Sequence, residues 1–409
     1  MDAYFARQPI LDERLQLFGY ELLFRSNPKA LTSGNLPLID GDHATASVLD
    51  AVMASGIERV TGGSYAFVNF TKKLLLDGVA TLYPKEYLAV EILENIRIDE
   101  TILKAVEALK DEGYLIALDD YVFDPNDMPL IEMSDIIKVE VDGSQEAYDN
   151  LKAVAQHIDF QKCKLLAEKV ETEEIFERTA SLGCTLFQGY FFAKPKTMSN
   201  KTVSPLRINQ LWLMQEISRP EMDFRSIADI IRNDVSLSYK TLRLVNSVYY
   251  GVRHEIKNIN QAVAYLGRDE LKKWVSFASL SNLCDNKPSE LIIMSMTRAC
   301  FCEKVAKAAR KKKDMEAFFL AGLFSLLDTM MDMPLEKCLA TASVPPVTMD
   351  ALLAENNDGK RALDLIVAIE AGDWPRVGEL AHELKLSEDK VASIYMEAIS
   401  WARQFSQDG

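Results

Sequence analysis

The segment LIALDDYVFD, residues 115–124, places two adjacent aspartates directly after a run of apolar residues. Such an apolar run is typical of a buried strand. Two neighbouring carboxylates at the end of a buried strand repel each other, and each costs free energy to desolvate. Asp119 and Asp120 therefore need a positive charge nearby, and the rest of the sequence indicates what that charge is.

Polar side chains also lie within or directly after the other apolar runs of this half of the chain. In chain order the set is Glu21, Asn69, Glu91, Asp119, Asp120, Lys138, Glu168 and Gln188. Hard oxygen donors without His or Cys favour Mg²⁺, Mn²⁺ or Ca²⁺ over zinc. So many ligands predict two metal ions sharing an aspartate, a site that typically hydrolyses phosphoesters, with Lys138 orienting the attacking water. Taken singly, each carboxylate is more often a helix cap or a surface salt bridge.

The elements that carry these residues alternate regularly between strand and helix. Candidate strands are 18–25, 65–70, 87–93, 114–120, 135–141, 163–168 and 185–192, with a further short strand near the N terminus. Helical patterns lie between them at 46–60, 101–113, 147–158 and 172–183. This alternation implies parallel strands with helical crossovers. We predict a β/α barrel, in which polar side chains at the carboxyl ends of the strands face one pocket.

The second half of the chain has a different pattern. The polar segment KTMSNKTVSPL, residues 196–206, is typical of a linker, and the sequence after it has helical periodicity throughout. The sequence therefore predicts an α/β protein with two domains: a TIM-like barrel over 1–200, followed by an all-α domain over 201–409.

Composition and net charge limit the kinds of partner that the chain can bind and the compartments it can occupy. The chain has 409 residues and a formal net charge of −15, which argues against electrostatic binding of nucleic acid but not against a phosphate ligand bound through metals. No stretch approaches the roughly 18 apolar residues of a transmembrane helix, and the N terminus lacks the layout of a signal peptide. Six scattered cysteines favour a reducing compartment. We expect a cytoplasmic protein without membrane insertion.

With these residues laid out, about residues 3–200 resemble the EAL domain, a family of cyclic di-GMP phosphodiesterases with a β/α barrel fold. The signature Glu-Ala-Leu corresponds to Glu21-Leu22-Leu23 in YELLFR. Further matches, in chain order, are QPI (8–10), FVNF with Asn69, EILE with Glu91 and Glu94, Asp119-Asp120, Lys138, AEKVE with Glu168 and Glu171, and FQGYFFAKP with Gln188.

The resemblance implies a role for each matched residue, and a reaction that opens cyclic di-GMP at one phosphodiester to give linear pGpG. The metal ligands for two Mg²⁺ or Mn²⁺ ions would be Glu21, Asn69, Glu91, Asp119, Asp120 and Glu168. The catalytic residues would be Glu21, Lys138, which holds the water, and Glu168, the general base. Gln8, Arg25 and Gln188 would bind substrate, while Glu94 and Glu171 would position loops, Glu94 tethering the loop after the aspartate pair.

The chain also departs from the family pattern. Active members follow the aspartate pair with a Phe-Gly-Thr-Gly type loop, whereas residues 121–125 are Tyr-Val-Phe-Asp-Pro, with no glycine for positive φ. Lys169 replaces the usual glycine before Val-Glu, and Glu140 replaces an aspartate. The expected metal ligands are kept, while the loop that would control access of metal and substrate is altered. Two interpretations follow: a phosphodiesterase, weak or regulated by the helical domain, or an inactive cyclic di-GMP receptor or protein-interaction scaffold.

The second half is similar to the HDOD domain, a helical relative of HD phosphohydrolases, over 227–251 and 259–275. HD enzymes bind metal through several His and Asp residues. Beyond residue 204 this chain has only His254 and His382, and FSLLD (324–328) offers Asp328 alone. The resemblance therefore implies a helical domain that is not an enzyme and contacts an unknown protein partner. The domain order resembles EAL–HDOD two-domain, or YuxH-like, signalling proteins, and EAL domains commonly pair, so a homodimer is expected.

Overall fold

The chain is described by a computed structural model. It describes residues 4–25, 56–194, 205–219, 221, 223–247, 250, 252, 255–284, 287–311, 314–342, 344, 346–353 and 357–403. Two compact units make up the chain. The first comprises Met1–Lys194, Val367–His382 and Ser387–Met396, and the second Pro195–Ile366, Glu383–Leu386 and Glu397–Gly409. Most of the predicted linker, 196–206, lies outside the described residues.

Eight strands close into a barrel in chain order, which confirms the predicted β/α barrel. They are β1 Tyr4–Asp12, β2 Leu17–Arg25, β3 Tyr65–Phe70, β4 Leu88–Ile92, β5 Leu115–Leu118, β6 Ile136–Glu140, β7 Lys164–Glu168 and β8 Cys184–Gln188. From β2 to β8 each strand pairs in parallel with the next. These strands therefore end at the same rim of the barrel.

Strand β1 departs from the expected all-parallel arrangement, because it pairs antiparallel with both β2 and β8. A tight turn between β1 and β2 explains the difference. Asp12 Oδ1 accepts hydrogen bonds from the backbone N–H groups of Arg14 and Gln16, both at 2.8 Å. A hairpin this short joins antiparallel strands, since a parallel pair needs a crossover of about a dozen residues or more. The expected short N-terminal strand is also nine residues long.

Short helices follow the strands of the barrel. They are α1 Ile57–Thr61, α2 Lys72–Leu76, α3 Glu100–Glu112, α4 Met128–Met133, α5 Gln145–Ala155 and α6 Glu173–Ser181. Asp99 caps α3 by accepting from the N–H groups of its first turn, and Gly113 ends it in the left-handed conformation with φ 92°. Glycine is the residue that most often ends a helix in this conformation. Most of the predicted helix 46–60 lies outside the described residues.

Seven buried apolar side chains from seven strands form a layer that we call the floor. They are Ile10, Phe67, Ala89, Ala117, Ile136, Leu166 and Leu186. Gly19 completes the layer on β2, where an added Cβ would lie 2.8 Å from the Phe67 ring. A second and larger core lies between the strands and helices. Because side chains alternate along a strand, the residue two positions from each floor residue faces the same interior.

Every described element after residue 204 is a helix, which confirms the predicted all-α region. They are α7 Pro205–Ser218, α8 Phe224–Asn233, α9 Val235–Val245, α10 Ile259–Leu283, α11 Glu290–Ala308, α12 Met315–Phe324, α13 Leu327–Met331, α14 Leu335–Ala342, α15 Pro346–Leu353, α16 Asp358–Ala371, α17 Trp374–Glu383 and α18 Glu388–Arg403. Non-helical φ/ψ at Gly267 kinks α10. Among the described helices, none has the length and apolar character needed to cross a bilayer.

Asn246, within the range 227–251 that resembles the HDOD domain, has a structural role in the helical unit. Its Oδ1 accepts from the N–H of Ile256, and its Nδ2 donates to the oxygens of Ile256 and Leu242, at 2.8 to 2.9 Å. The side chain therefore joins the end of α9 to the segment before α10. This part of the resemblance reflects folding rather than chemistry.

A substitution at Gly189, directly after β8, tests whether close packing constrains the rim of the barrel. Its φ is 145°, and an added Cβ would lie 2.2 Å from the main-chain oxygen of Val170. Gly78 has a φ of 65° but no atom within 4 Å of such a Cβ, so it isolates the conformational effect. We expect Gly78→Ala to lower the free energy of unfolding by about 1 kcal/mol, and Gly189→Ala by about 3 kcal/mol or more because overpacking adds to the strain.

Urea unfolding of the two variants and of the wild type measures both values. If Gly189→Ala unfolds at the same urea concentration as Gly78→Ala, the close approach of Val170 does not constrain the rim.

Candidate functional site

One layer of polar side chains lies two residues from the floor on each of these strands. Glu91 follows Ala89, Lys138 follows Ile136, and on the reversed strand β1 the polar residue comes before the floor residue. We call this layer the polar ring, which consists of Gln8, Glu21, Asn69, Glu91, Asp119, Lys138, Glu168 and Gln188. The alternation of side chains along the strands therefore brings eight of the twelve sequence-predicted site residues to one end of the barrel.

The ammonium group of Lys138 lies at the centre of the polar ring and is fully buried. Its Nζ is 2.5 Å from Asp119 Oδ1, 2.7 Å from Glu91 Oε1, 3.0 Å from Glu168 Oε1 and 3.3 Å from Glu21 Oε2. The four carboxylates come from four different strands. Lys138 therefore supplies the positive charge beside Asp119, and it holds the ring together.

Burial and charge act in opposite directions on these groups. Burial alone lowers the pKa of Lys138, but the surrounding carboxylates outweigh it, so that the pKa lies well above its usual value and the amine is protonated. Burial raises the pKa values of Glu91 and Glu168 well above normal, although Lys138 opposes the shift. Glu91 Oε2 and Glu168 Oε2 also have no hydrogen-bond partner among the described residues. The single positive charge of Lys138 is therefore too small to balance the carboxylates of this site.

Two groups of carboxylates could each hold a metal ion. Glu21, Glu91 and Asp119 form one group, and Asp119, Asp120 and Glu168 the other; within each group one oxygen per residue lies within 4.8 Å of the rest. The groups share Asp119, as the sequence predicts for a pair of ions. The oxygen donors and the unpartnered buried oxygens fit hard divalent cations such as Mg²⁺ or Mn²⁺. Asn69 lies beside Glu91 in the β3–β4 register and is half-buried.

The two glutamines of the ring contact each other and the first carboxylate group. Gln188 Nε2 donates to Glu21 Oε2 at 2.6 Å and to Gln8 Oε1 at 2.9 Å. Gln8 Nε2 donates to the main-chain oxygen of Glu370, within the same compact unit, at 3.3 Å. The glutamines therefore orient Glu21. Arg25 ends β2, but its side chain lies outside the described part of the chain.

The remaining two predicted residues lie away from the ring. Glu171 is exposed and forms an ion pair with Lys194 at 3.1 Å. Glu94 is also exposed, and no hydrogen bond joins it to the described segment after the aspartate pair. That segment is held by Asn150 instead, a residue that the sequence did not single out. Asn150 belongs to the helical pattern after β6, and no local signal distinguishes it from a solvated helix residue.

Two departures from the family pattern contact each other at the rim. Lys169 takes a φ of 54°, a conformation that favours glycine, and its Nζ lies 2.5 Å from Glu140 Oε2. The hydrogen bond to Glu140 is the main cause of a raised pKa for Lys169, with smaller contributions from Asp120 and Glu168. A lysine thus stands beside the second carboxylate group. Asp120 also has a positive φ, of 42°.

Comparison with known proteins agrees with this architecture. The EAL domain model matches residues 5–195 and the HDOD domain model residues 207–333. The uncharacterized protein YuxH of Bacillus subtilis is 32% identical over 98% of both chains. The cyclic di-GMP phosphodiesterase CdgJ of Vibrio cholerae is 33% identical over 99% of this chain and 93% of its own. This chain belongs to the EAL–HDOD two-domain family. A solved structure of Klebsiella pneumoniae BlrP1, a manganese/cy-diGMP complex, is 20% identical over 46% of this chain and 55% of its own, with a TM-score of 0.39.

Three residues of interest lie after residue 204 in this EAL–HDOD protein. His382 is exposed and belongs to the first compact unit, and His254 lies outside the described residues. Asp328 is half-buried at the start of α13, where burial raises its pKa and the Thr329 N–H donates to it. Within the described chain, both groups of metal-capable side chains lie in the EAL barrel.

Replacing Lys138 tests whether its charge holds the ring together. In EDTA at pH 8, Lys138→Met leaves the carboxylates without a buried cation, and loss of one partner of a buried ion pair typically costs about 3–5 kcal/mol. We expect a fall of that size in the free energy of unfolding, and a larger stabilisation by added Mn²⁺ than in the wild type.

Lys152→Met is the matched control, because Lys152 is exposed and, among the described residues, pairs only with Asp149 at 3.4 Å. Chemical denaturation with and without Mn²⁺ measures both variants. Equal stability of the two in EDTA would show that the carboxylates do not depend on Lys138.

Proposed function

We propose that this chain is a metal-dependent phosphodiesterase that hydrolyses cyclic di-GMP to linear pGpG at the polar ring. The observation that carries the proposal is the pair of carboxylate groups sharing Asp119 around a protonated Lys138. Paired divalent sites of oxygen ligands are typical of phosphoester hydrolysis. The chain is similar along nearly its whole length to CdgJ, which is named a cyclic di-GMP phosphodiesterase, and this supports cyclic di-GMP as substrate.

Several residues of the ring have properties that suit this reaction. Divalent ions bound at the two groups would polarise the phosphodiester and lower the pKa of a bound water. Lys138 keeps its charge and is held within reach of the carboxylates, where it can orient that water. Glu168 Oε2 has no hydrogen-bond partner in the described chain, and burial raises the pKa of this carboxyl, which suits a group that accepts a proton from water. Gln8, Arg25 and Gln188 would contact the dinucleotide.

A receptor without turnover is the second candidate. The observation that favours it is the segment from Tyr121 to Asp124, which the structure fixes by hydrogen bonds where active relatives have a glycine loop. In this case the ring binds cyclic di-GMP and the HDOD half passes the signal on to a protein partner. In both cases we propose that the HDOD half regulates rather than catalyses.

The cysteines bear on location. All six thiols are free and buried, and burial raises the pKa of Cys163, Cys184, Cys300 and Cys338 to about 12. Unreactive free thiols fit a reducing compartment. We therefore propose a cytoplasmic protein, with homodimer formation through the EAL half as a further expectation from the family.

The deciding experiment incubates the purified full-length chain with cyclic di-GMP and Mn²⁺, Mg²⁺ or EDTA, and follows the products by chromatography. We expect pGpG with either metal and none with EDTA. Binding of cyclic di-GMP without product in any metal supports the receptor, while neither binding nor product rules out both candidates.

Glu21→Ala separates a functional role from a structural one. Glu21 is a candidate metal ligand, so we expect hydrolysis to fall by more than the roughly 10–100-fold typical of losing an outer partner of a metal site. The melting temperature should stay the same or rise, because one of the mutually repelling carboxylates is gone. Initial rates and thermal melting measure the two effects.

Glu107→Ala is the control, since Glu107 is an exposed glutamate on α3. A large drop in the melting temperature of Glu21→Ala, with activity lost only in proportion to folded protein, would make Glu21 a structural residue.

A further inference from the structure

Hydrogen bonds hold the backbone of the segment that follows Asp119 and Asp120. The N–H of Tyr121 donates to the main-chain oxygen of Lys138 at 2.9 Å. The oxygen of Tyr121 accepts from Asn150 Nδ2 at 3.0 Å, and the N–H of Phe123 donates to Asn150 Oδ1 at 2.9 Å. One side chain of α5 therefore holds two backbone groups of this segment.

The chemistry of this contact requires an amide. The oxygen of Tyr121 needs a donor, and the N–H of Phe123 needs an acceptor, so that the carboxamide of Asn150 can face them in one orientation only. Aspartate has the same shape but lacks the donor, and alanine lacks both groups. The contact is therefore specific to asparagine at this position of the helix.

Ring contacts strengthen the attachment. The Phe123 ring stacks on His157, just after α5, with centroids 4.2 Å apart. The side chain of Tyr121 is buried, and its hydroxyl accepts from the N–H of Asp124 at 3.2 Å. Val122 points outward, with 72% of its surface exposed. Contacts with β6, α5 and the residue His157 after α5 therefore hold the backbone of the segment.

We infer that Asn150 is a positioning residue for the second carboxylate group, acting through the Tyr121–Phe123 segment. Tyr121 directly follows Asp120, whose φ of 42° sets the direction of its carboxylate. The N–H of Tyr121 is bonded to the main-chain oxygen of Lys138, and the oxygen of Tyr121 is bonded to the side chain of Asn150. When the backbone of Tyr121 is held in place, the carboxylates of Asp119 and Asp120 are held as well. They then lie where they and Glu168 can bind one cation. The inference rests on the proposed function only for the identity of the ligand, a divalent metal ion.

The test compares Asn150→Ala and the isosteric Asn150→Asp with the wild type in the full-length protein. Mn²⁺ binding is measured by calorimetry without substrate, and amide hydrogen exchange is measured over residues 121–124. We expect both variants to bind Mn²⁺ about 10-fold or more weakly, as is typical for outer partners of a metal site, and to exchange the Phe123 amide faster. At saturating Mn²⁺ the hydrolysis rate should recover towards the wild type, which a general loss of folding would not allow.

Lys152→Ala is the control on the same helix, because Lys152 is exposed and forms no hydrogen bond or ion pair with the segment in the described chain. If Asn150→Asp binds Mn²⁺ like the wild type, Asn150 acts by shape alone and the inference fails. If both variants do, it also fails. A wild type that binds Mn²⁺ but forms no pGpG removes the proposed hydrolysis while leaving the inference to be decided by Mn²⁺ binding. A wild type that binds no Mn²⁺ overturns both.

Discussion

The buried ammonium of Lys138 is the interaction on which the barrel's polar end depends. Four carboxylates from four strands meet within 3.3 Å of one nitrogen, and a low-dielectric interior tolerates such a cluster only if the charges nearly balance. They do not balance, because one ammonium faces several carboxylates. Burial, with added repulsion from Glu21 and Asp119, raises the pKa values of Glu91 and Glu168. The shortage of positive charge makes the site suitable for divalent cations. The apolar floor beneath contributes by keeping the cluster dry on one side.

The sequence predicts the barrel and its polar ring because both follow from a period of two residues. An apolar residue such as Ala89 or Ile136 and the polar residue two positions later must face the same interior, wherever the strand lies. The direction of β1 does not follow from this rule, since it depends on a side-chain turn at Asp12. The central position of Lys138 is also unpredictable from one strand. It requires the closure of the barrel, which sets the distances between residues far apart in sequence.

The contacts made by the residues that depart from the family pattern are visible only in the folded structure. Lys169 and Glu140 are separate substitutions 29 residues apart, yet they form one ion pair between neighbouring strands. The non-glycine segment after Asp120 looks merely stiff in sequence, whereas the structure shows that Asn150 holds it. Both changes lie beside the second carboxylate group, at one of the two candidate cation positions.

The two candidate positions also differ in access, which bears on how a fixed segment can coexist with metal binding. The group of Glu21, Glu91 and Asp119 is buried throughout, whereas the group around Asp120 is partly exposed. A cation at the inner position must lose most of its water, which Mg²⁺ does reluctantly. A cation at the outer position can keep water, which is where an attacking water would enter. Because Asp120 is already exposed, the segment need not open for a cation to reach the outer group.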